Sequence, residues 1–384
     1  MRERWTCDGT ELSPELQQVL LDNYDLFALD DSQLGRTDWV EAAIDTGDAP
    51  PVCLNPYRHS RVETEAMEAE VRRMLGAGII RHSNSAWSSP VVMVRKSDGT
   101  HRFCVDLRGV NNVTQPVRFP MPHVRDLIDT LAPPLGEQRV YSCMDLKSGF
   151  WQVGVQETDR CKLAFQAPSG LYEFCVLPMG ARASPALFQR LMTLVLRPVL
   201  ASGAGLGYHP TPTEETPRKC CVLFIDDICI WSPSQQEHAA DVLTVLDLLR
   251  LAGLVLSLNK CKFGTPKCQF LGHVVDGVIG HITPSPDNVE AIRSYPKLRT
   301  VRQVKAFLGL TYYREQVDHF ANVALPLYQC LGKMGFHWGE RQAAAFEALK
   351  EAITSFPILR APDFTRPFTL ATDFAKTAVA ACLS

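Results

Sequence analysis

Val222-Leu223-Phe224-Ile225-Asp226-Asp227-Ile228-Cys229-Ile230-Trp231 is the stretch whose reading decides the fold. Apolar, β-prone residues flank two adjacent aspartates, the pattern of two strands buried against a core. Burying one unpaired carboxylate costs several kcal/mol, and two neighbours also repel. The pair makes physical sense at the tip of a β-hairpin, open on one side and neutralised by divalent cations, with hard oxygen ligands that suit Mg²⁺. A polar turn between two strands is the plainer reading of the same residues.

Around that centre, 384 residues exceed what one hydrophobic core serves, so two or more subdomains are expected. Hydrophobic residues make up 46% and charged residues 21%, an ordinary globular balance. No apolar run spans a bilayer, and Met1-Arg2-Glu3-Arg4-Trp5 opens no signal-peptide core, so no membrane partner is expected. The 13 cysteines are scattered without a CxxC pair and read as reduced, buried residues of an intracellular protein. Net charge of −3 argues against non-specific coating of nucleic acid but leaves room for a local basic channel.

In chain order, Ser13-Pro14 starts a helix, Ala28–Asp48 reads as an acidic, turn-rich stretch, and Ala49-Pro50-Pro51 forces extended chain. A helix runs from Ser60 to Gly76-Ala77-Gly78. Ser88–Lys96 and Arg102–Leu107 form a hairpin about Asp98-Gly99, carrying Arg95, Lys96, Arg102 and Arg108. Val124–Leu131 is a short helix and Val140–Asp145 a strand, which makes Asp145 a candidate third carboxylate or a simple turn former. Lys162–Gln166 and Leu171–Leu177 read as a hairpin, and Ser184-Pro185 caps a helix running to about Leu196. Ser202–Lys219 has no periodicity, Glu237–Leu251 is an amphipathic helix, and Ser257–Phe263 and Gln269–Val275 read as short strands. Beyond Pro284 the pattern is helical, over Asn288–Ser294, Val301–Gln316, Leu325–Leu331 and Glu340–Thr354. Phe368–Thr372 then forms a strand delivering Asp373 at its end, and Thr377–Leu383 begins another. No histidine has metal-ligand spacing, and those other than His273 read as structural or surface residues.

Several of these segments resemble a known family. Phe224-Ile225-Asp226-Asp227 resembles the aromatic-X-Asp-Asp signature of reverse transcriptases, and Met144-Asp145-Leu146-Lys147-Ser148-Gly149-Phe150-Trp151-Gln152 resembles their first carboxylate motif. Leu177-Pro178-Met179-Gly180 with Ser184-Pro185-Ala186-Leu187-Phe188-Gln189 resembles the motif between them. Tyr24-Asp25-Leu26-Phe27, Ala43-Ile44-Asp45-Thr46-Gly47, Arg102–Arg108, Phe270-Leu271-Gly272-His273 and Phe307–Tyr313 point to one branch. In this order the chain resembles the polymerase region of a gypsy-type LTR-retrotransposon Pol polyprotein, from about Leu16 onward.

The resemblance implies an α+β, right-hand polymerase. Residues 1–55 would be an N-terminal entry segment, 56–277 fingers and palm, 278–356 a thumb and connection-like helical region, and 357–384 a truncated RNase H-like start. Asp145, Asp226, Asp227 and the backbone of Leu146 would hold two Mg²⁺ ions, with Mn²⁺ as the alternative, for two-metal phosphoryl transfer. Lys96 and Arg102 would bind the incoming triphosphate beside Met179. Phe150 would exclude a ribose 2′-hydroxyl, so that dNTPs are preferred. Leu271-Gly272-His273 would form the primer grip. The implied partners are an RNA or DNA template with its primer, dNTPs, and other Pol regions (protease, RNase H, integrase). The implied place is the cytoplasm, a virus-like particle or the nucleus.

The chain also departs from the pattern. Met179 stands where many relatives carry glutamine or an aromatic, and Phe224 where tyrosine is usual. Ser202–Lys219 reads as an insertion, and Ala378 and Ala380 stand where relatives favour glycine. Asp373 resembles the first RNase H acid, and with the sequence ending at Ser384 no complete ribonuclease site is expected. The competing expectation is a degenerate remnant that binds primer–template without extending it.

Overall fold

The computed structural model describes residues 12–96, 99–201, 218–310, 317, 320–332, 336–354, 359–360, 370–375 and 378–383. The chain divides into two compact units, Met1–Leu127 with Val140–Thr265, and Ile128–Arg139 with Pro266–Ser384. Asp98, residues 202–217 of the Ser202–Lys219 stretch, Thr311-Tyr312-Tyr313 and Phe368 lie outside the described residues.

Helix α1 (Pro14–Asp22) is capped by Ser13, whose hydroxyl accepts from Leu16 N, with Pro14 at the first turn. Strands β1 (Phe27–Ala28) and β2 (Thr37–Ala42) precede α2 (Arg61–Gly76). A capping box starts α2: the Ser60 hydroxyl accepts from Glu63 N, and the Glu63 carboxylate accepts from Ser60 N. Next come β3 (Ile80–His82), β4 (Ser89–Arg95), β5 (His101–Val105), α3 (Arg108–Val113), α4 (Val124–Leu131) and β6 (Val140–Asp145). They are followed by β7 (Val153–Val155), α5 (Glu157–Arg160), β8 (Ala164–Ala167), β9 (Gly170–Phe174) and α6 (Ser184–Leu196). The unit closes with β10 (Cys221–Phe224), β11 (Asp227–Ser232), α7 (Gln235–Leu251), β12 (Leu256–Ser257) and β13 (Lys262–Thr265).

Two sheets organise this unit, one in the order β3-β9-β8-β4-β5 and one in the order β10-β11-β6-β13. Helices α6 and α7 pack on the second, burying Phe188, Leu191, Leu223, Ile228, Ile230, Val242 and Leu246. Each such side chain contributes about 1.5–3 kcal/mol by leaving water, so this sheet is the rigid floor beneath the paired aspartates.

The second unit contains β14 (Lys267–Phe270), β15 (His273–Asp276), β16 (His281–Pro284), α8 (Pro286–Arg293), α9 (Val301–Leu310), α10 (Phe320–Gln329) and α11 (Glu340–Thr354). It ends with β17 (Leu359–Arg360), β18 (Leu370–Ala375) and β19 (Ala378–Leu383). Its separate core gathers Leu298, Val304, Phe307, Leu327, Phe346 and Leu349. Among the described residues, no helix is long and apolar enough to cross a membrane.

Four sequence expectations need correction. Thr37–Ala42 lies in the acidic stretch yet forms β2, paired in parallel with β7; a partner more than a hundred residues away leaves no local signal. Ser184 is not the cap of α6 but its first residue, with its hydroxyl donated to Pro178 O at 2.8 Å. Gln269–Val275 is not one strand. It is the β14–β15 hairpin turning at Leu271-Gly272, both at positive φ (46° and 80°), the conformation a tight two-residue turn requires. Asp373 does not end its strand but lies within β18, opposite Ala380 of β19.

Candidate active site

Strand β11 pairs antiparallel with β10 on one side and β6 on the other, and its first residue, Asp227, stands directly opposite Asp145. The turn between β10 and β11 is Ile225-Asp226. Three acids from two distant segments therefore converge at one end of one sheet.

The turn is strained. Ile225 has φ +58°, a region that β-branched side chains avoid, and such residues cost on the order of 1–3 kcal/mol unless the surroundings hold them. Part of the restraint is visible: Ile225 N donates to the Oε1 of buried Gln189, on α6, at 2.6 Å. The hydrogen bond ties the turn that presents Asp226 to the helix beneath it.

Burial pushes the Asp226 carboxyl above its usual range, with Asp145 adding to the effect. Burial, then Asp226 and Asp145, push Asp227 up to about 6. Lys260 supplies one countercharge, its Nζ lying 2.9 and 3.2 Å from the two Asp145 oxygens. Three carboxylates, two of them held against their preferred ionisation, form a donor set that fits hard divalent cations.

A stability effect follows. Between pH about 3.8 and 6 the folded Asp227 binds more protons than the unfolded one, so its carboxylate costs stability as pH rises through that window. In EDTA, Asp227→Asn should stabilise the protein by roughly 1 kcal/mol above pH 6, allowing for solvent screening of this half-buried group, and by nothing below pH 3.8. Thermal unfolding at the two pH values checks this. An equal gain at both would trace the effect to something other than charge.

The segment that follows Asp145 enters the wall of a cleft of about 610 Å³, through Ser148, Phe150 and Trp151, and the lining also includes Lys96, Arg102, Met179 and Arg73. Lys96 and Arg102 are exposed side chains at the β4–β5 hairpin, where Arg102 stands opposite Val94. The Arg102 guanidinium donates to the Met179 sulfur at 3.4 Å, and Met179 is 49% exposed. Phe150 follows β6 on a helical turn and sits edge-on to Phe188, with centroids 5.2 Å apart. Gly149 permits this packing, since a Cβ there would come within 2.8 Å of the Phe188 ring. Arg73 lies over Trp151, 5.3 Å from the ring centroid, and pairs with Glu70 at 2.6 Å. Asn111 fixes the Pro178–Arg182 loop by donating to Gly180 O and accepting from Arg182 N, each at 2.8 Å.

A family profile described as "Reverse transcriptase (RNA-dependent DNA polymerase)" matches residues 94–275, which contain all three acids and most of the cleft. Residues 94–275 belong to the reverse transcriptase family. A profile described as "RNase H-like domain found in reverse transcriptase" matches residues 338–384. Over 362 residues the chain is 35% identical to the Retrovirus-related Pol polyprotein from transposon 297 of Drosophila melanogaster, covering 92% of this chain and 32% of that protein. It is 31% identical to the corresponding polyprotein from transposon gypsy, also of Drosophila melanogaster, covering 96% of this chain and 36% of that one. The chain thus spans about a third of the length of these curated relatives.

Among solved structures, the foamy viral protease–reverse transcriptase in complex with dsDNA superimposes with a TM-score of 0.81 at 20% identity, covering all of this chain and 77% of that one. The same viral protein in complex with an RNA/DNA hybrid gives 0.77 at 21% identity, covering 97% and 47%. These likenesses establish the α+β reverse transcriptase fold.

Of the remaining sequence-derived site residues, Leu146 directly follows Asp145, and the others belong to the second unit. Leu146 is buried and forms a β-bridge with Leu256. Leu271, Gly272 and His273 belong to the second unit. There, Gly272 O accepts from Ser285 N at 2.8 Å, and buried His273 contacts Leu271 O through Nδ1 at 3.1 Å. Asp373 lies in the β18–β19 hairpin of that unit. Sequence reasoning assigned no role to Lys260, Gln189 or Asn111. Gln189 was inside a quoted motif, whereas Lys260 carried no signal beyond being one of three basic residues in Lys260-Cys261-Lys262 and nearby Lys267.

Proposed function

We propose that this chain is the polymerase region of a retrotransposon Pol polyprotein, an RNA-directed DNA polymerase that extends a primer on an RNA or DNA template. The observation that carries the reading is Asp227 opposite Asp145, with Asp226 in the adjoining turn, inside a match to the reverse transcriptase profile. Residues 56–277 act as fingers and palm, and 278–356 as thumb and connection. The chain works inside the cell, in the cytoplasm or a virus-like particle.

Asp145, Asp226 and Asp227 hold Mg²⁺. When bound, the metal supplies activation of the primer 3′-hydroxyl and neutralisation of the triphosphate and leaving pyrophosphate. The protein contributes placement and charge. Lys96 and Arg102 pair with the triphosphate oxygens from the β4–β5 hairpin. Lys260 holds the Asp145 carboxylate in place from one side. Phe150, braced by Phe188, closes the floor where a ribose 2′-hydroxyl would lie. Leu271, Gly272 and His273 contact the primer.

Primer extension on a homopolymeric RNA template with Mg²⁺ and dNTPs tests the reading. Product from the unaltered chain supports it; folded protein that binds primer–template in a salt-dependent way yet makes no product contradicts it. Separately, Phe150→Val should increase ribonucleotide incorporation relative to dNTPs by about 10-fold or more, from steric relief and a lost contact of 1–3 kcal/mol. Unchanged sugar selectivity would remove Phe150 from that role.

A further inference from the structure

Helix α7 packs against β6 and β11, the two strands that end in Asp145 and begin with Asp227. Three fully buried polar side chains meet at that contact: Ser142 on β6, Ser232 at the end of β11, and His238 in the first turn of α7. The His238 Nε2 lies 2.7 Å from Ser142 Oγ, and its Nδ1 lies 2.8 Å from Ser232 Oγ. Ser232 Oγ is also 2.6 Å from the Asp241 carboxylate, and Gly264 N on β13 donates to Ser142 Oγ at 3.1 Å. Asp241 in turn pairs with Arg218, which also reaches Glu237 at 2.7 Å.

Hydrogen-bond accounting fixes the direction of every proton in this chain. A carboxylate only accepts, so the Ser232 hydroxyl must give its proton to Asp241 and can only accept from the imidazole. Nδ1 therefore carries the hydrogen. Burial, with Arg218 adding to it, holds His238 down at about 4, so the ring is neutral and Nε2 is a bare acceptor. The Ser142 hydroxyl donates to Nε2 and keeps a lone pair for Gly264 N–H. The sequence Gly264 N–H, Ser142, His238, Ser232, Asp241 is thus fully satisfied and runs one way.

We propose that His238, as its neutral Nδ1–H tautomer, is a positioning residue of the polymerase centre, locking β6, β11 and β13 to α7 so that Asp145 and Asp227 keep one spacing. The inference rests on the polymerase reading above. The imidazole touches no reacting group. It acts through Ser142, three residues before Asp145, and Ser232, five after Asp227. The backbone ladder alone fixes register, whereas a side chain bonded to both strands from one helix also fixes their attitude to it. Small displacements of metal-holding carboxylates are costly to rate even when the fold survives.

The test combines kinetics with spectroscopy. In the full chain, His238→Gln and the milder Ser142→Ala should each lower kcat for dNTP incorporation about 10-fold, with KM for dNTP held within about 2-fold. In ¹⁵N-histidine-labelled unaltered protein, NMR should show His238 protonated at Nδ1 alone at neutral pH. An unchanged kcat in folded Ser142→Ala, or a ring protonated at Nε2, overturns the positioning role. Failure of the unaltered chain to extend a primer overturns the polymerase reading itself, while the tautomer result still reports on the network.

Discussion

Asp227→Asn is expected to lower primer extension by at least about 10³-fold while leaving primer–template binding and its salt dependence in place. Asparagine keeps the size and shape of the side chain, so the β6–β11 ladder and the Ile225-Asp226 turn need not move. What is lost is one of the negative charges that burial has concentrated at this sheet end. Burial, with the neighbouring acids adding to it, holds the Asp226 and Asp227 carboxyls above their usual range there. A donor set short of one charge holds divalent cations more weakly, and phosphoryl transfer depends mainly on charge stabilisation and placement. The same substitution stabilises the metal-free fold above pH 6, so lost activity with raised stability in one variant would separate chemistry from folding. Activity close to that of the unaltered chain would remove Asp227 from the centre.

Arg102→Ala should lower kcat/KM for dNTPs by about 10–100-fold, most of it through KM. A charge-assisted hydrogen bond to a phosphate oxygen is worth about 1.5–3 kcal/mol. The guanidinium is exposed, lines the cleft and donates to the Met179 sulfur at 3.4 Å, a weak acceptor that leaves its other donors to face a triphosphate. Lys96→Ala should act in the same direction but less, because lysine is a point charge without the guanidinium fork. Steady-state kinetics across dNTP concentrations read both effects. A fall in kcat at unchanged KM would place Arg102 in another role.

Much of this was legible from residues alone because the signals were local. Apolar, β-prone runs on both sides of Asp226-Asp227 gave the β10–β11 hairpin, Ser13-Pro14 and the helical pattern from Ser60 marked two helix starts, and Val124–Leu131 and Val140–Asp145 fell at their observed bounds. Features set by distant partners were not legible. Strand β2 is defined by β7, a pairing no window of sequence contains. Leu271 carries a positive φ that its side chain gives no reason to expect, so the Leu271-Gly272 turn hid inside an apparently continuous strand. His238 read as structural or surface because its meaning comes from serines on two other strands. Lys260 is set against Asp145 by the path of the chain through β12 and β13, which no charge pattern predicts.

The most direct measurement is anomalous diffraction from crystals of the chain with primer–template, an unreactive dNTP analogue and Mn²⁺. Manganese density within direct coordination distance of the carboxylates of Asp145, Asp226 and Asp227 is the predicted result. Ordered nucleic acid and nucleotide with no manganese at those three side chains would contradict the account.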